Sequence, residues 1–192
     1  MKRLFTFICL YVCLAVQPGL SDTFLDGRIS YTPPRDMHSF DDDSAKIASG
    51  VRDGLLKFYS DTLTSEKTLY RVIFLLESVG VEMGADKAPV YTSIVREDLK
   101  RVIEGKYKRD PSLLGKLTFV PTEVSGRKGY IVTFDMARHS SVRDSVCMHE
   151  LWLLLEPNRI LIVAALSTDP KSFRRAVKSL KSLKITTQKV QP

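Results

Sequence analysis

The sequence predicts an α+β domain in which helices pack on an antiparallel sheet. Two observations carry that prediction. From Leu117 to Ser167 four strand-like runs follow one another across short breaks. Such links suit an antiparallel meander, because parallel strands need crossovers of a dozen residues or more. Directly afterwards, Asp169-Pro170 opens a run whose apolar residues recur at helical steps. Size and composition agree. The chain has 192 residues, 44% of them hydrophobic, enough for one domain that buries most of its apolar surface without disulfide staples.

The first twenty-one residues read as an export signal. Lys2 and Arg3 give a cationic start, and an apolar run extends from Leu4 to Val16. Pro18 breaks that run, and Gly19 and Ser21 are the small residues at −3 and −1 if cleavage falls before Asp22. The run is shorter than the ~20 apolar residues of a membrane span; a retained N-terminal anchor is the competing reading. Leu10 to Cys13 has the outline of a lipoprotein box, but bulky Tyr11 and Val12 sit where that processing wants small residues. Cys9 and Cys13 would leave with the signal, so Cys147 is the one thiol of the mature chain and internal disulfides are excluded.

Asp22 to Gly27 is read as a polar lead-in, and Arg28 to Thr32 alternates with the period of a half-buried strand. Pro33-Pro34 ends that strand, since neither can donate to a ladder. Asp41-Asp42-Asp43 with Ser44 is read as the cap of a helix whose face is Ile47, Val51, Leu55 and Phe58, although Gly50 and Gly54 weaken it. Leu69 to Ser78 is a buried strand and Gly80 to Pro89 a loop. A second helix follows from Thr92, with Ile94, Val95, Leu99, Val102 and Ile103 on one side, and Asp110-Pro111 starts a short helical turn.

The meander comprises Leu117 to Val124, Tyr130 to Met136, Val146 to Glu156 and Arg159 to Ser167. Its breaks are Gly126 to Gly129, Arg138 to Arg143 and the two-residue Pro157-Asn158. In the closing helix Phe173, Ala176, Val177, Leu180 and Leu183 form one stripe, and Lys171, Arg174, Arg175, Lys178, Lys181 and Lys184 take the remaining surface. Residues 22–187 thus read as one α+β domain, and Gln188 to Pro192 as a loose tail.

This order of elements resembles the PsbP-like fold, an α/β sandwich whose superfamily includes the photosystem II extrinsic subunit, bacterial DcrB-like exported proteins and the Ran-binding Mog family. The opening Ile29-Ser30-Tyr31-Thr32-Pro33-Pro34 is similar to the first strand of that group, and Phe173 to Lys181 to its final helix. Tyr130 to Phe134 and Ile160 to Leu166 would then be central strands. The long stretch between Asp43 and Lys116 departs from the compact pattern. The resemblance implies an exported, non-catalytic accessory or binding domain. It transfers no functional residues, because the superfamily shares no catalytic motif.

Few residues suggest chemistry. Cys147 and His149 are two apart on a predicted strand and share a face, and His139 lies in the preceding connection. Thiolate and imidazoles could hold a soft metal or act as nucleophile and base, so a small hydrolase or metal-dependent enzyme is the alternative reading. A buried cysteine is the plainer one, and His149-Glu150 lacks the second histidine of a zincin helix. Asp41 to Asp43 has neither the alternate spacing nor the glycine of a calcium loop. No phosphate-cradling glycine loop or serine elbow is found, and no cofactor or metal is expected.

Charge is more informative. The chain carries +7, about +5 without Lys2 and Arg3, and from Arg159 onward eight Lys or Arg face the single Asp169. Lys171, Arg174, Arg175, Lys178 and Lys181 are therefore the candidate partner-binding residues. They suit an acidic protein of the cell envelope or exterior, or an anionic membrane surface. The plainer reading is a solvated basic face. Nucleic acid is disfavoured because no aromatics interleave with the charges. The expected location is periplasmic or secreted.

Overall fold

Leu117 to Ser167 folds as the predicted meander, whose first strand starts earlier than expected, at Leu113. The computed structural model describes residues 21–40, 43, 54–62, 69–78, 81–83, 89–91, 96–138, 141–156 and 158–186. In chain order these hold β1 (Asp22–Phe24), β2 (Ile29–Tyr31), β3 (His38–Phe40), β4 (Leu55–Ser60), β5 (Tyr70–Ser78), β6 (Val81–Met83), β7 (Pro89–Tyr91) and α1 (Arg96–Tyr107). Then come β8 (Leu113–Val124), β9 (Arg127–Arg138), β10 (Ser141–Glu156), β11 (Arg159–Ser167), α2 (Pro170–Ser179), a 3-10 turn (Leu180–Ser182) and β12 (Lys184–Ile185). The signal segment, the bulk of the first helix, His139 and the tail from Gln188 lie outside the described residues.

The main sheet has seven strands in the order β3-β4-β5-β11-β10-β9-β8, with every pairing antiparallel. Alternation along β10 sends Leu151, Leu153 and Leu155 to one face and Glu150 and Trp152 to the other. The first face is covered by α2, the 3-10 turn and a small sheet β1-β2-β12. On the second face Leu99, Ile103 and Tyr107 of α1 pack over Val132, Phe134, Trp152, Ile160 and Ile162. The fold is α+β but dominated by sheet. Pro121 is tolerated in β8 because β8 is an edge strand.

The connections have local causes. Ser125 (φ 50°) and Gly126 (φ 77°) are both left-handed, as a two-residue I′ hairpin turn requires, and Val124 pairs with Arg127 across it. The break expected at Gly126 to Gly129 therefore shrinks to two residues, and Gly129 belongs to β9. Glu156 pairs with Arg159, so only Pro157 and Asn158 join β10 to β11.

Asp169 is the N-cap of α2, its carboxylate accepting from the Ser172 N–H at 2.7 Å, with Pro170 in the first turn. That hydrogen bond holds the Asp169 carboxyl below its usual range. Asp169→Ala should lower the thermal midpoint, and Asp169→Asn, which keeps the accepting oxygen, should recover most of the loss.

Four further expectations are corrected. Leu55 and Phe58 are not on a helix: they lie in β4, where Phe58 pairs with Ile73 of β5. Their helix-like spacing was coincidental, and cross-strand packing of a strand covered on both faces overrides it. The loop expected over Gly80 to Pro89 contains β6 and part of β7, which pair as a separate ribbon. The lead-in at Asp22 is strand β1, paired with β2. Lys184 belongs to β12, not to the helix surface. Strands of two or three residues are too short for periodicity to reveal.

Candidate functional site

The cations of the closing helix are sorted by what stands beside them. Ala176, Leu180 and Leu183 are buried in the core under α2, and Val177 packs on its margin. Helical periodicity then leaves Lys171, Arg174, Arg175, Lys178 and Lys181 exposed. Tyr31 and Ser179 share a 2.6 Å hydrogen bond, and the Thr32 N–H donates to Ser182 Oγ at 2.9 Å. The small sheet thereby fixes the end of α2 on the main one.

On one side of α2 is a cleft of about 270 Å³ lined by His149, Phe173, Arg174, Val177, Lys178 and Lys181. On the other is an opening of about 500 Å³ lined by Pro34, Arg35, Asp36, Arg175, Lys178 and Ser179. Arg175 is already engaged. It binds Asp36 at 2.6 Å, donates to Ser172 Oγ at 3.1 Å and lies 5.2 Å from the centre of the Tyr70 ring. Burial and the neighbouring Asp36 push the Tyr70 hydroxyl up to about 12. Among the described residues Arg174, Lys178 and Lys181 form no ion pair. Lys171, in the first turn, lines neither opening.

Cys147 and His149 do share the sheet face that carries α2. Cys147 lies opposite Asp135 and His149 opposite Thr133, whose Oγ1 is 3.4 Å from Nδ1. Burial and a hydrogen bond to Asp135 raise the Cys147 thiol above its ordinary range, so it stays protonated at neutral pH. Burial pushes His149 down, which keeps it neutral. A nucleophile–base pair needs the opposite bias on the thiol. Among the described residues no three His, Cys, Asp or Glu side chains gather as a metal site.

Sequence reasoning missed Glu150. It is 5% exposed, beneath α1, and its carboxylate accepts from the Tyr107 hydroxyl and from Trp152 Nε1, each at 2.7 Å. Burial raises its pKa most, and the two hydrogen bonds and Lys106 oppose the rise. The available signal was its place in β10 between His149 and Leu151: strand alternation gives those two the face under α2 and sends Glu150 to the opposite face, under α1.

No protein-family model matches the chain, and no curated protein does. Among solved structures it is similar to cyanobacterial PsbP (CyanoP) from Synechocystis sp. PCC 6803, with a TM-score of 0.51 and 11% identity over 90% of this chain and 96% of that one. The chain has a PsbP-like fold. The two stretches read in the sequence as similar to that group, around Tyr31 and around Ser179, meet in the hydrogen bond between β2 and α2. At this identity the likeness concerns architecture and transfers no site. Among the described residues no helix is long and apolar enough to cross a membrane.

Proposed function

We propose that this chain is an exported, non-enzymatic accessory domain of the cell envelope or exterior, and that α2 holds an acidic protein partner. The observation that carries the proposal is the row Arg174, Lys178 and Lys181, which lines one cleft and lacks internal counter-ions among the described residues. Export is supported by the leader and by where the first described strand starts. β1 begins at Asp22, so cleavage after Ser21 would cut no strand pair. The non-catalytic reading is supported by a thiol held protonated and an imidazole held neutral.

The test is capture of a partner from envelope extract by the form beginning at Asp22, across a salt series. Exposed ion pairs weaken as the Debye length falls from ~10 Å at 0.1 M to ~3 Å at 1 M salt, so recovery should fall over that range. Reversing Arg174, Lys178 and Lys181 together to Glu should weaken capture about ten-fold or more. Arg175 is left in place because its pair with Asp36 is structural. Cys147→Ala should leave capture unchanged. Undiminished capture by the triple reversal would overturn the reading.

A further inference from the structure

The cleft beside α2 also constrains the shape of what enters it. We infer that it takes an extended peptide segment carrying Asp or Glu at alternate positions with apolar residues between, a refinement that rests on the acidic-partner reading above.

Arg174, Lys178 and Lys181 stand four and three residues apart and line the same cleft. Helical rise sets them about 6 Å and about 5 Å apart along the axis. In an extended chain, side chains on one side recur every ~6.7 Å. Three alternate carboxylates therefore span ~13 Å against a cation row of ~11 Å, a mismatch that flexible Lys and Arg stems absorb. A helical ligand would match the spacing of the row too; what favours an extended one is the exposed sheet surface beside it.

The intervening side chains of such a segment point away from α2, across the sheet. There β9 and β8 form an open ledge on the same face. Thr133 lies beside His149, Thr118 opposite Thr133, and Val120 opposite Ile131, which packs on the core of that face. Val120 is 50% exposed, the large hydrophobic residue left most open among those described. It offers an apolar landing point two strand spacings, about 10 Å, from β10. Asp135 lies next along β9 beyond Thr133 and is exposed. Its charge bars an acidic segment from running further in that direction.

The purified protein is titrated by fluorescence anisotropy with two end-capped peptides of equal composition and charge, Glu-Val-Glu-Val-Glu and Glu-Glu-Glu-Val-Val, and with vesicles of phosphatidylserine and phosphatidylcholine. The alternating peptide should bind about five-fold more tightly. Lys178→Gln should erase that preference, and Val120→Ser should reduce it about three-fold. Circular dichroism verifies that both variants fold. Equal, salt-sensitive binding of the two peptides, lost on reversing the three cations, would overturn the register inference and leave the acidic-partner reading intact. Binding to vesicles but to neither peptide, or to none of the three, would overturn both.

Discussion

Gly129→Ala is expected to lower the unfolding free energy by at least about 3 kcal/mol, read as a drop of roughly 1.5 M in the urea midpoint at unchanged slope. A Cβ at Gly129 would overlap the Trp152 carbonyl oxygen and lie 2.9 Å from its carbon and 3.1 Å from Leu153 Cα. Each of these is a backbone atom, so no side chain can rotate away. Relief requires β9 and β10 to separate where Gly129 pairs with Leu153, beside Trp152, which is fully buried. Gly126→Ala is the contrast. Its φ of 77° disfavours a side chain, but nothing stands within 4 Å, so the cost should be about 1 kcal/mol. Equal losses at the two positions would contradict the close approach of the strands.

The second large effect concerns Glu150. Glu150→Ala should cost about 2–4 kcal/mol, because it leaves the Tyr107 hydroxyl and the Trp152 indole N–H buried without an acceptor. Glu150→Gln keeps an acceptor oxygen and should be far milder. The two proteins should also differ in pH dependence. Burial holds the folded pKa of Glu150 above its ordinary value of 4.5. As pH rises past 4.5 the unfolded chain therefore gives up this proton first, and folding loses stability until the folded carboxyl titrates. That contribution is full below 4.5 and absent in Glu150→Gln. His149 acts with the opposite sign. Its folded pKa lies below 6.5, so its contribution is full above 6.5 and is lost as pH falls. His149 is common to both proteins, so above about pH 4.5 the stability of Glu150→Gln should climb relative to that of the native chain until the folded Glu150 carboxyl has titrated. Urea midpoints at half-unit pH steps measure the difference, and parallel curves would exclude a raised Glu150.

Much of the sheet was legible because its signals are local. The runs in β5, β10 and β11 are long enough to exceed chance, and short links leave an antiparallel meander as the simple solution. Asp169-Pro170 marks the start of α2 through a hydrogen bond three residues away. Leu55 and Phe58 misled because they continued the helical steps of Ile47 and Val51, and Gly54 just before them was the signal that the pattern did not run on. The candidate site was legible in part. Composition located the cationic helix, but Arg175 and Arg174 are equivalent in a helical projection. Only the fold places Asp36, 139 residues upstream, against Arg175.

The sequence by itself determined the strand and helix types of the longer elements, the cationic bias of the C-terminal end and the inward stripe of α2. Each depends on residues within a few positions of one another. Tertiary structure alone decided that β5 pairs with β11, that β2 joins β12 across the whole chain length, and that Glu150 is buried under Tyr107. It also decided which helix cations keep free charge. Those outcomes depend on which distant segments the packed sheet brings together, and the energy that selects them comes from burial and hydrogen bonding shared across the fold, which no local window of residues contains.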